Sequence, residues 1–583
     1  MISRSQAVAS IRNSSFDVCV IGGGATGAGC ALDAELRGFK TVLLEASDFA
    51  SATSSASTKL VHGGLRYLQQ AVMGCDLGQY HVVRRALRER RLMLENAPFL
   101  ARPLELLVPC FRRRDLCYFR AGLKLYDWIA GKDRLAPSRY LTAEETSARL
   151  PLLNASKLVG AIAYTDGQFD DARYGLTLVK TFVEHGGCAL NYARVVDFTR
   201  SSDGKLREAL VEDRISRERF SVSARVFLNA TGPFSDQLRK LAHPGAPARL
   251  RLSKGIHILL PLEPSHMDAM LVPQTDDGRV IFAIPWQGRL LVGTTDDETT
   301  LEEELAAKRP EVEYLLRHLN RYLQTPCSIG QVVSATAGLR PLVSHGEARS
   351  SSKLIRDHEV ELDLESGLIS ILGGKWTTYR AMAEDAIDAA QQYLRTAACP
   401  FTPAPATATF AGGPRPFSSA SPTPTAGNPG TCMTRHFPLV GSEGWEPAFW
   451  QTLVSSYRIP PETARHLAGK FGTRAVEVLE FAGADRKLAA PIIPGATAIQ
   501  AEIVYGIRCE MATSIEDVLA RRIGLQWFSW RSALAAASLV GAYLAQERGW
   551  SAGETEQAIR EYTLRVMHLS AMAGLSCERA LTG

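Results

Sequence analysis

The hydrophobic pattern near the start of the chain alternates between short apolar runs and one helical stretch. Val18-Cys19-Val20-Ile21 is a continuous apolar run, which is typical of a strand buried in a parallel sheet. Small and apolar residues from Ala25 to Leu36 predict a helix packed on that sheet, and Gly38 ends it. A second apolar strand, Thr41 to Leu44, ends on Glu45. The pattern therefore predicts a βαβ unit.

The turn between the first strand and the helix carries three glycines in G-x-G-x-x-G register. In a dinucleotide site Gly22 makes the tight turn, Gly24 lets a pyrophosphate approach the backbone, and Gly27 lets helix and strand pack closely. Glu45 lies 23 residues after Gly22, near the usual spacing of a carboxylate that binds ribose hydroxyls. Because an acid disfavours a 2′-phosphate, the pattern favours FAD or NAD over NADP. A purely structural strand-to-helix turn is the alternative.

Beyond residue 235 the pattern changes twice. Short strands alternate with turns from about 236 to 335, which predicts an antiparallel sheet that includes His257–Leu260, Arg279–Ile284 and Leu290–Thr294. A nearly uncharged stretch rich in Pro, Ala, Ser and Thr, 400–431, has the composition of a linker. Helical periodicity follows it. The predicted helices are Pro461–Gly472, Ile499–Ala512, Ser514–Arg522, Ser532–Glu547 and Gly553–Ala571.

Composition limits the classes of function. The 583 residues exceed one core and predict two or three domains, and the formal charge of +5 is too small to argue for nucleic acid. The eleven cysteines include no C-x-x-C pair, so we expect reduced thiols in a cytoplasmic compartment and no metal site. No signal peptide and no apolar segment of bilayer length is present, which predicts a soluble or peripheral protein.

A segment rich in small hydroxyl residues follows Glu45. Its hydroxyls could cap a helix or face a pyrophosphate and a sugar alcohol chain, and a His62-Gly63-Gly64 turn could lie flat against a ring system. Arg66 and Tyr67 then add a cation and a phenol. A flexible polar loop is the alternative, and composition leaves both open. The hydroxyl residues are Thr53, Ser54, Ser55, Ser57 and Thr58.

Two basic stretches raise the question of a surface partner. Residues 79–94 form a predicted helix with five arginines, whose ordinary interpretation is a solvated face. Residues 109–131 interleave five cations with aromatic and apolar side chains. Such a stretch is consistent with an amphipathic element at a membrane interface, or with a helix whose side-chain stems cover the protein's own core.

GGGATGAG and ATSSASTKLVHGGLRYL closely resemble the FAD-dependent glycerol-3-phosphate dehydrogenases, which belong to the glycine oxidase/D-amino-acid oxidase-like flavoproteins. The resemblance continues to about residue 390 and through parts of the helical C-terminal region. It implies an α/β fold: a discontinuous, Rossmann-like FAD-binding domain, an antiparallel-sheet substrate domain and an all-helical C-terminal domain. The implied bounds are 1–90, 160–235 and 336–399 for FAD binding, 91–159 and 236–335 for substrate, 400–435 for the linker and 436–583 for the C-terminal domain.

The resemblance also assigns cofactor contacts. Val195 falls where the group commonly holds adenine through the backbone, and Asn229-Ala230-Thr231-Gly232-Pro233 matches the second flavin motif. Trp376 stands where the family commonly has an aliphatic residue. The implied FAD-binding residues are Gly22, Gly24, Ala25, Thr26, Gly27, Glu45, Ala46, Thr53, Ser54, Ser57, Leu60, His62, Gly63, Gly64, Val195, Ala230, Gly232, Arg340, Gly374, Lys375 and Thr377.

For the reaction, the resemblance implies oxidation of sn-glycerol 3-phosphate to dihydroxyacetone phosphate, with hydride passing from C2 to flavin N5. His257 is the expected base, because an imidazole takes a proton near neutral pH, and a lysine of depressed pKa is the second candidate. Arg340 and Lys375 are expected to stabilise developing negative charge. The implied substrate-binding residues are Arg66, Tyr67, Arg356 and Lys375.

The resemblance further implies a quinone acceptor and peripheral association with the inner face of the cytoplasmic membrane, and it leaves a homodimer open. A glycerol-phosphate oxidase that reduces O₂ to H₂O₂ would share these motifs. A non-catalytic module that binds a dinucleotide or a nucleic acid is an alternative of another class.

Overall fold

The computed structural model describes residues 4–64, 77–261, 267–273, 275–344, 357–396 and 430–576. These ranges fold into two large β-sheets and several layers of helices. The strands are β1 Ser15–Ile21, β2 Thr41–Leu44, β3 Leu60–Val61, β4 Ala101–Cys110, β5 Arg139–Thr142, β6 Gly160–Phe169, β7 Cys188–Leu190, β8 Ala193–Arg200, β9 Leu206–Asp213, β10 Arg219–Asn229, β11 Leu250–Leu260, β12 Ala269–Val272, β13 Ile281–Trp286, β14 Arg289–Gly293, β15 Asp297–Thr299, β16 Ser334–Val343, β17 His358–Leu362 and β18 Ile369–Gly373.

Within the described ranges, helices lie at both ends and between many of the strands. They are α1 Arg4–Arg12, α2 Ala25–Leu36, α3 Leu77–Asn96, α4 Arg113–Ala130, α5 Ala143–Arg149, α6 Asp171–Glu184, α7 Ser235–Ala242, α8 Arg309–Asn320, α9 Tyr379–Thr396, α10 Phe449–Tyr457, α11 Pro461–Phe471, α12 Ala475–Ala484, α13 Ala501–Cys509, α14 Leu525–Phe528, α15 Trp530–Arg548 and α16 Ala552–Met572.

The first sheet is the predicted nucleotide-binding sheet, with the strand order β17-β18-β10-β1-β2-β7. β1 pairs in parallel with β2 and β10, and β10 pairs in parallel with β18. Val18 and Val20 are completely buried, as expected for a parallel strand covered on both faces. α2 packs against α6 and α9 and covers one face. The predicted bounds of α2 and β2 agree with the structure to the residue.

The second sheet is almost entirely antiparallel and confirms the predicted type of substrate domain. Its strand order is β15-β11-β14-β13-β12-β4-β6-β3, with β16 paired to β11 and β5 to β6. Only β12 and β4 run parallel within the described part of this sheet. β6, which the sequence grouped with the FAD-binding segments, lies in this second sheet between β4 and β3.

The C-terminal region is helical, as predicted, and two of the five predicted helices differ from the structure by three residues at one end. The predicted helix Ile499–Ala512 ends at Cys509, two residues before Met511, whose φ of +54° is left-handed. The predicted helix Ser514–Arg522 is a π-helical turn, Asp517–Arg522. The predicted linker falls largely on residues 397–429, outside the described ranges.

The C-terminal helices pack on the second sheet. Trp530 and Val540 belong to the same buried cluster as Ile256 and Val292 of that sheet. Across the described ranges, every helix is too short or too polar to cross a membrane.

Candidate active site

A cavity of about 1060 Å³ runs along the carboxyl ends of the parallel strands. It is lined by residues at or just after the ends of β1, β2, β10 and β18: Ile21, Glu45, Ala230 and Gly373. Ligands of open α/β sheets bind outside the carboxyl ends of the strands. The cavity therefore lies where the fold predicts a dinucleotide.

The glycine turn at the edge of the cavity leaves no space for side chains. Gly22 has a φ of +110°, and a Cβ on it would lie 2.5 Å from the Ala230 carbonyl oxygen. A Cβ on Gly27 would lie 1.8 Å from the Gly22 carbonyl oxygen. Gly24 lines the cavity directly. The three glycines thus occupy the positions of turn, close approach and helix–strand packing that a pyrophosphate site requires.

The N-terminus of α2 faces the same space. Ala25 and Thr26 line the cavity, and the extended Gly24 precedes them without a side-chain cap. The amide of Ala25 donates to Ser54 Oγ over 2.9 Å, so Ser54 is held at the cavity wall. The positive end of the helix dipole favours a phosphate here.

Glu45 is held at the end of β2 by two backbone amides. Its Oε2 accepts from Gly23 N at 2.6 Å, and its Oε1 accepts from Ser47 N at 2.8 Å. Burial raises the pKa of Glu45, while these two amides act against the shift. Ala46 and Val195 line the cavity next to it, so the predicted ribose and adenine contacts lie together.

The hydroxyl-rich segment divides between the cavity and its support. Thr53 lines the cavity and donates to the Leu339 carbonyl at 2.7 Å. Ser57 instead donates to Asp171 at 2.7 Å. Asp171 also pairs with the buried ammonium of Lys59, which donates to the Ser55 carbonyl at 2.9 Å.

The turn at His62-Gly63-Gly64, which we expect to lie against a ring system, is held by hydrogen bonds from its backbone amides to neighbouring side chains. Gly63 N donates to the Tyr126 hydroxyl at 2.8 Å, and His62 N lies 3.4 Å from Thr377 Oγ1. Within the described ranges, the residues that line the cavity do not include Leu60, His62, Gly63, Gly64 or Thr377.

His257 lies on β11 in the second sheet, with only 2% of its surface exposed. Its Nε2 is 2.8 Å from Thr58 Oγ1, and its Nδ1 has no hydrogen-bond partner among the described residues. Burial, with Arg340 and Lys59 nearby, lowers the pKa of His257 to about 3. The sequence suggested an ordinary imidazole, whereas the structure holds it neutral far below pH 7.

Arg340 lies on β16, three residues before the end of the region that pairs with β11. Its guanidinium covers Gly255 and donates to the Thr295 carbonyl at 3.0 Å and to Thr294 Oγ1 at 2.9 Å. It does not line the cavity among the described residues, but the next residue, Pro341, does. The positive charge of Arg340 contributes to the lowered pKa of His257.

Lys375 follows β18 through Gly373 and Gly374, whose φ values are +72° and +83°. Gly374 and Lys375 both line the cavity. Trp376 donates from Nε1 to the Ser54 carbonyl at 2.8 Å. The tryptophan that departs from the family pattern thus joins the end of β18 to the segment at the α2 N-terminus.

Three predicted substrate ligands, Arg66, Tyr67 and Arg356, lie outside the described residues. Sequence reasoning did not select the Lys59–Asp171 pair, which supports the hydroxyl-rich segment. The available signal was a single lysine within an otherwise uncharged segment, because a buried lysine needs an acidic partner.

An adenine dinucleotide fits the cavity. It has glycines that admit no Cβ, a helix N-terminus for the diphosphate, and an acid at the expected ribose position. Its volume of about 1060 Å³ slightly exceeds the usual range for small-molecule sites, as suits a ligand as long as a dinucleotide.

Comparisons with known sequences agree with this site. The family described as FAD dependent oxidoreductase matches residues 17–384, and the family described as the C-terminal domain of alpha-glycerophosphate oxidase matches residues 432–555. Mitochondrial glycerol-3-phosphate dehydrogenase of Bos taurus is 37% identical over 571 residues, which cover 96% of this chain and 74% of that protein. The Homo sapiens protein is 38% identical over 562 residues, with 94% and 73% covered.

Solved structures give the same result. The glycerol-3-phosphate dehydrogenase of Bacillus halodurans, complexed with FAD, matches with a TM-score of 0.75 and 28% identity over 97% of each chain. The L-alpha-glycerophosphate oxidase of Mycoplasma pneumoniae, with FAD bound, shares the fold at a TM-score of 0.51 and 18% identity, covering 65% of this chain and 95% of that one. This chain belongs to the FAD-dependent oxidoreductase family, among the glycerol-3-phosphate dehydrogenases, and its cofactor is FAD.

Proposed function

We propose that this protein oxidises sn-glycerol 3-phosphate to dihydroxyacetone phosphate and passes the electrons to a membrane quinone. FAD, held by the glycine turn and the residues around Glu45, would supply the two-electron oxidant for the C2 carbon. The substrate class comes from the relatives, which are glycerol-3-phosphate dehydrogenases by name. The residues of this chain supply binding, orientation and proton transfer.

The proposal rests on the burial and hydrogen bonding of the His257 imidazole. A buried imidazole with one nitrogen at Thr58 and the other without a partner among the described residues is suited to accept a proton. Its lowered pKa keeps it neutral in the free protein. A substrate phosphate dianion close by would offset the adjacent cations and raise that pKa, so proton transfer from the C2 hydroxyl becomes easier once substrate is bound.

Arg340 and Lys375 are proposed to stabilise negative charge as it develops. Arg340 is held by two hydrogen bonds to the 294–295 turn, so its position is fixed before substrate arrives. Lys375 lies at the cavity wall after two glycines. Arg66, Tyr67 and Arg356 remain the proposed binders of phosphate and hydroxyl groups, because arginine offers two parallel donors to phosphate oxygens.

The test is anaerobic reduction of the flavin by sn-glycerol 3-phosphate, followed by its absorbance in a stopped-flow instrument. We expect rapid bleaching in the wild type and a rate about 10²- to 10⁴-fold lower in His257→Asn. His243→Asn is the matched control, because His243 pairs with Asp363 and Glu365 at the protein surface. If His257→Asn binds substrate and bleaches at the wild-type rate while Lys375→Met does not, the lysine is the base. Without bleaching in the wild type, the non-catalytic alternative would replace the enzyme.

The proposed acceptor is a quinone at the inner face of the cytoplasmic membrane, reached through α4. This helix buries Leu123 and Ile129 but leaves Trp128 72% and Tyr118 54% exposed. Its exposed cations are Arg113, Arg114, Arg120 and Lys124. Exposed aromatic and basic side chains on one helix are the composition of an interfacial anchor.

Two measurements test the acceptor. Trp128→Ala should reduce co-sedimentation with anionic phospholipid vesicles, whereas Leu564→Ala, which removes a 60% exposed apolar side chain from α16, should not. Reoxidation of the reduced enzyme should be faster with a short-chain quinone than with O₂. The second candidate, an oxidase, is favoured by the C-terminal domain, which matches that of alpha-glycerophosphate oxidase. Stoichiometric H₂O₂ without quinone reduction would establish it.

A further inference from the structure

The loop that follows Glu45 has two faces with different environments. One face lines the cofactor cavity through Glu45, Ser47, Ser51 and Ser54. The other face carries Asp48, which is completely buried. A carboxylate without solvent needs partners of opposite charge or hydrogen-bond donors. The shape of the loop therefore depends on what surrounds Asp48.

The charged partners of Asp48 come from the C-terminal domain. Arg521 Nε donates to its Oδ2 at 2.5 Å, and Arg522 Nη2 donates to its Oδ1 at 2.8 Å. Both arginines are buried and lie in the π-helical turn Asp517–Arg522. One loop of the FAD-binding domain is thus held by two adjacent cations that the chain reaches more than 470 residues later.

A second set of contacts fixes the same turn against the FAD-binding domain. Asn191, between β7 and β8, donates to Asp48 Oδ1 at 3.2 Å and to the Met511 carbonyl at 2.8 Å. The hydroxyl of the next residue, Tyr192, donates to Asp517 at 2.7 Å, and its backbone amide donates to the Ser47 carbonyl at 2.7 Å. The loop is therefore enclosed between β8 and the C-terminal turn.

The two arginines offset the cost of burying the negative charge of Asp48. Burial alone would raise the pKa of Asp48, but Arg522 and Arg521 outweigh it and lower the pKa to about 2. Arg521 also donates to Asp517 at 2.6 Å, so the second cation is shared between two acids. Removing the charge of Asp48 takes away the carboxylate that both buried guanidinium groups share.

We propose that Arg521 and Arg522 are positioning residues for FAD: through Asp48 they hold the 45–54 loop in the shape that lines the cofactor cavity. The C-terminal helical domain is then part of the cofactor site, although it contributes no residue that lines the described cavity. Retention of FAD by this chain depends on that domain. The proposal concerns the cofactor and is independent of the substrate and acceptor.

The experiment measures the dissociation constant of FAD for apoprotein by quenching of flavin fluorescence. It uses Asp48→Asn in the full chain, together with the melting temperature of each apoprotein by circular dichroism. We expect the dissociation constant to rise at least tenfold in Asp48→Asn, and the fraction of chains that retain FAD on gel filtration to fall. Arg522→Lys keeps the charge but loses the two-point contact, and an intermediate rise of about threefold is expected.

The matched control is Lys180→Met. Lys180 on α6 pairs with Glu477 of the C-terminal domain at 2.9 Å, so this variant weakens the same domain interface without touching the loop. It should lower the melting temperature of the apoprotein but leave the dissociation constant of FAD within twofold of wild type. Equal affinities in Asp48→Asn and Lys180→Met would overturn the proposal. If Asp48→Asn does not fold, a wild-type affinity in Arg522→Lys would overturn it equally.

Discussion

The lowered pKa of His257 makes a specific prediction about the pH dependence of the enzyme. A pKa that is lowered from 6.5 to about 3 means that protonating His257 in the free protein costs about 5 kcal/mol more than protonating an imidazole in water. Burial accounts for the largest part, and the charges of Arg340 and Lys59 act in the same direction. In the free enzyme the imidazole is therefore neutral at every pH between 5 and 8.

The quantity that reports the free enzyme is kcat/KM. We expect its pH profile to show no inflection from His257 between pH 5 and 8. The substrate phosphate loses its second proton near pH 6, and this inflection should occur in both the wild type and His257→Asn. By contrast, kcat reports the loaded site, where the phosphate dianion raises the pKa of His257, so an acid limb should be visible there and absent from the variant.

The measurement is steady-state kinetics of both proteins with a soluble electron acceptor, across this pH range. An inflection of kcat/KM between pH 6 and 7 that the wild type shows and His257→Asn lacks would refute the reasoning. It would mean that the imidazole protonates freely in the empty site. The cations around it would then be too distant, or too well compensated, to act as described.

Three further outcomes follow from single contacts. Gly27→Ala places a methyl group 1.8 Å from the Gly22 carbonyl oxygen, so the purified variant should lack FAD, and a wild-type ratio of flavin to protein would contradict this. Tyr126→Phe leaves the Gly63 amide without its acceptor and should lower the free energy of unfolding by about 1–3 kcal/mol, measured by urea denaturation; an unchanged midpoint would argue against it. Burial would raise the pKa of Glu502, but a histidine and a lysine beside it lower the pKa to about 2. Its stabilising contribution is complete above pH 4.5 and is lost as the pH falls towards 2, so the wild type should lose melting temperature more steeply than Glu502→Gln between pH 5 and 3.

The parts of the fold that can be predicted well from the sequence are those that local residue patterns encode. The glycines, the helix Ala25–Leu36 and the strand Thr41–Leu44 are fixed by residues close in the chain, and their bounds agree with the structure. Sequence alone does not show which sheet a strand joins. β6 has apolar residues at both of its ends and polar residues between them. It pairs with β4 over its whole length, and only tertiary packing selects this partner.

The contacts that support the site are also harder to predict from the sequence, because they join residues that lie far apart in the chain. The resemblance implies that Ser57 binds the cofactor, and the sequence gives no sign that its hydroxyl donates to Asp171, more than 110 residues away. The Asp48–Arg522 pair joins the first fifty residues to the last seventy, and no periodicity reports such a pairing. Chemistry that is concentrated in a short motif can be recognised from sequence, whereas the buried charges that hold the motif in place cannot.

The distribution of charge along the cavity argues for one orientation of the cofactor and the substrate. Glu45 ends β2 and Lys375 follows β18, and these strands are separated by β10 and β1, a distance of about 14 Å at the usual strand spacing. The Glu45 carboxylate at the first end suits ribose hydroxyls, while Lys375 lies at the second end, where Pro341, the residue after Arg340, also lines the cavity. A dinucleotide bound in reverse would place its flavin beside Glu45, where Arg194 and Arg214 line the cavity, and away from Lys375. The flavin therefore has to lie at the second end for Lys375 and Arg340 to stabilise developing negative charge as proposed.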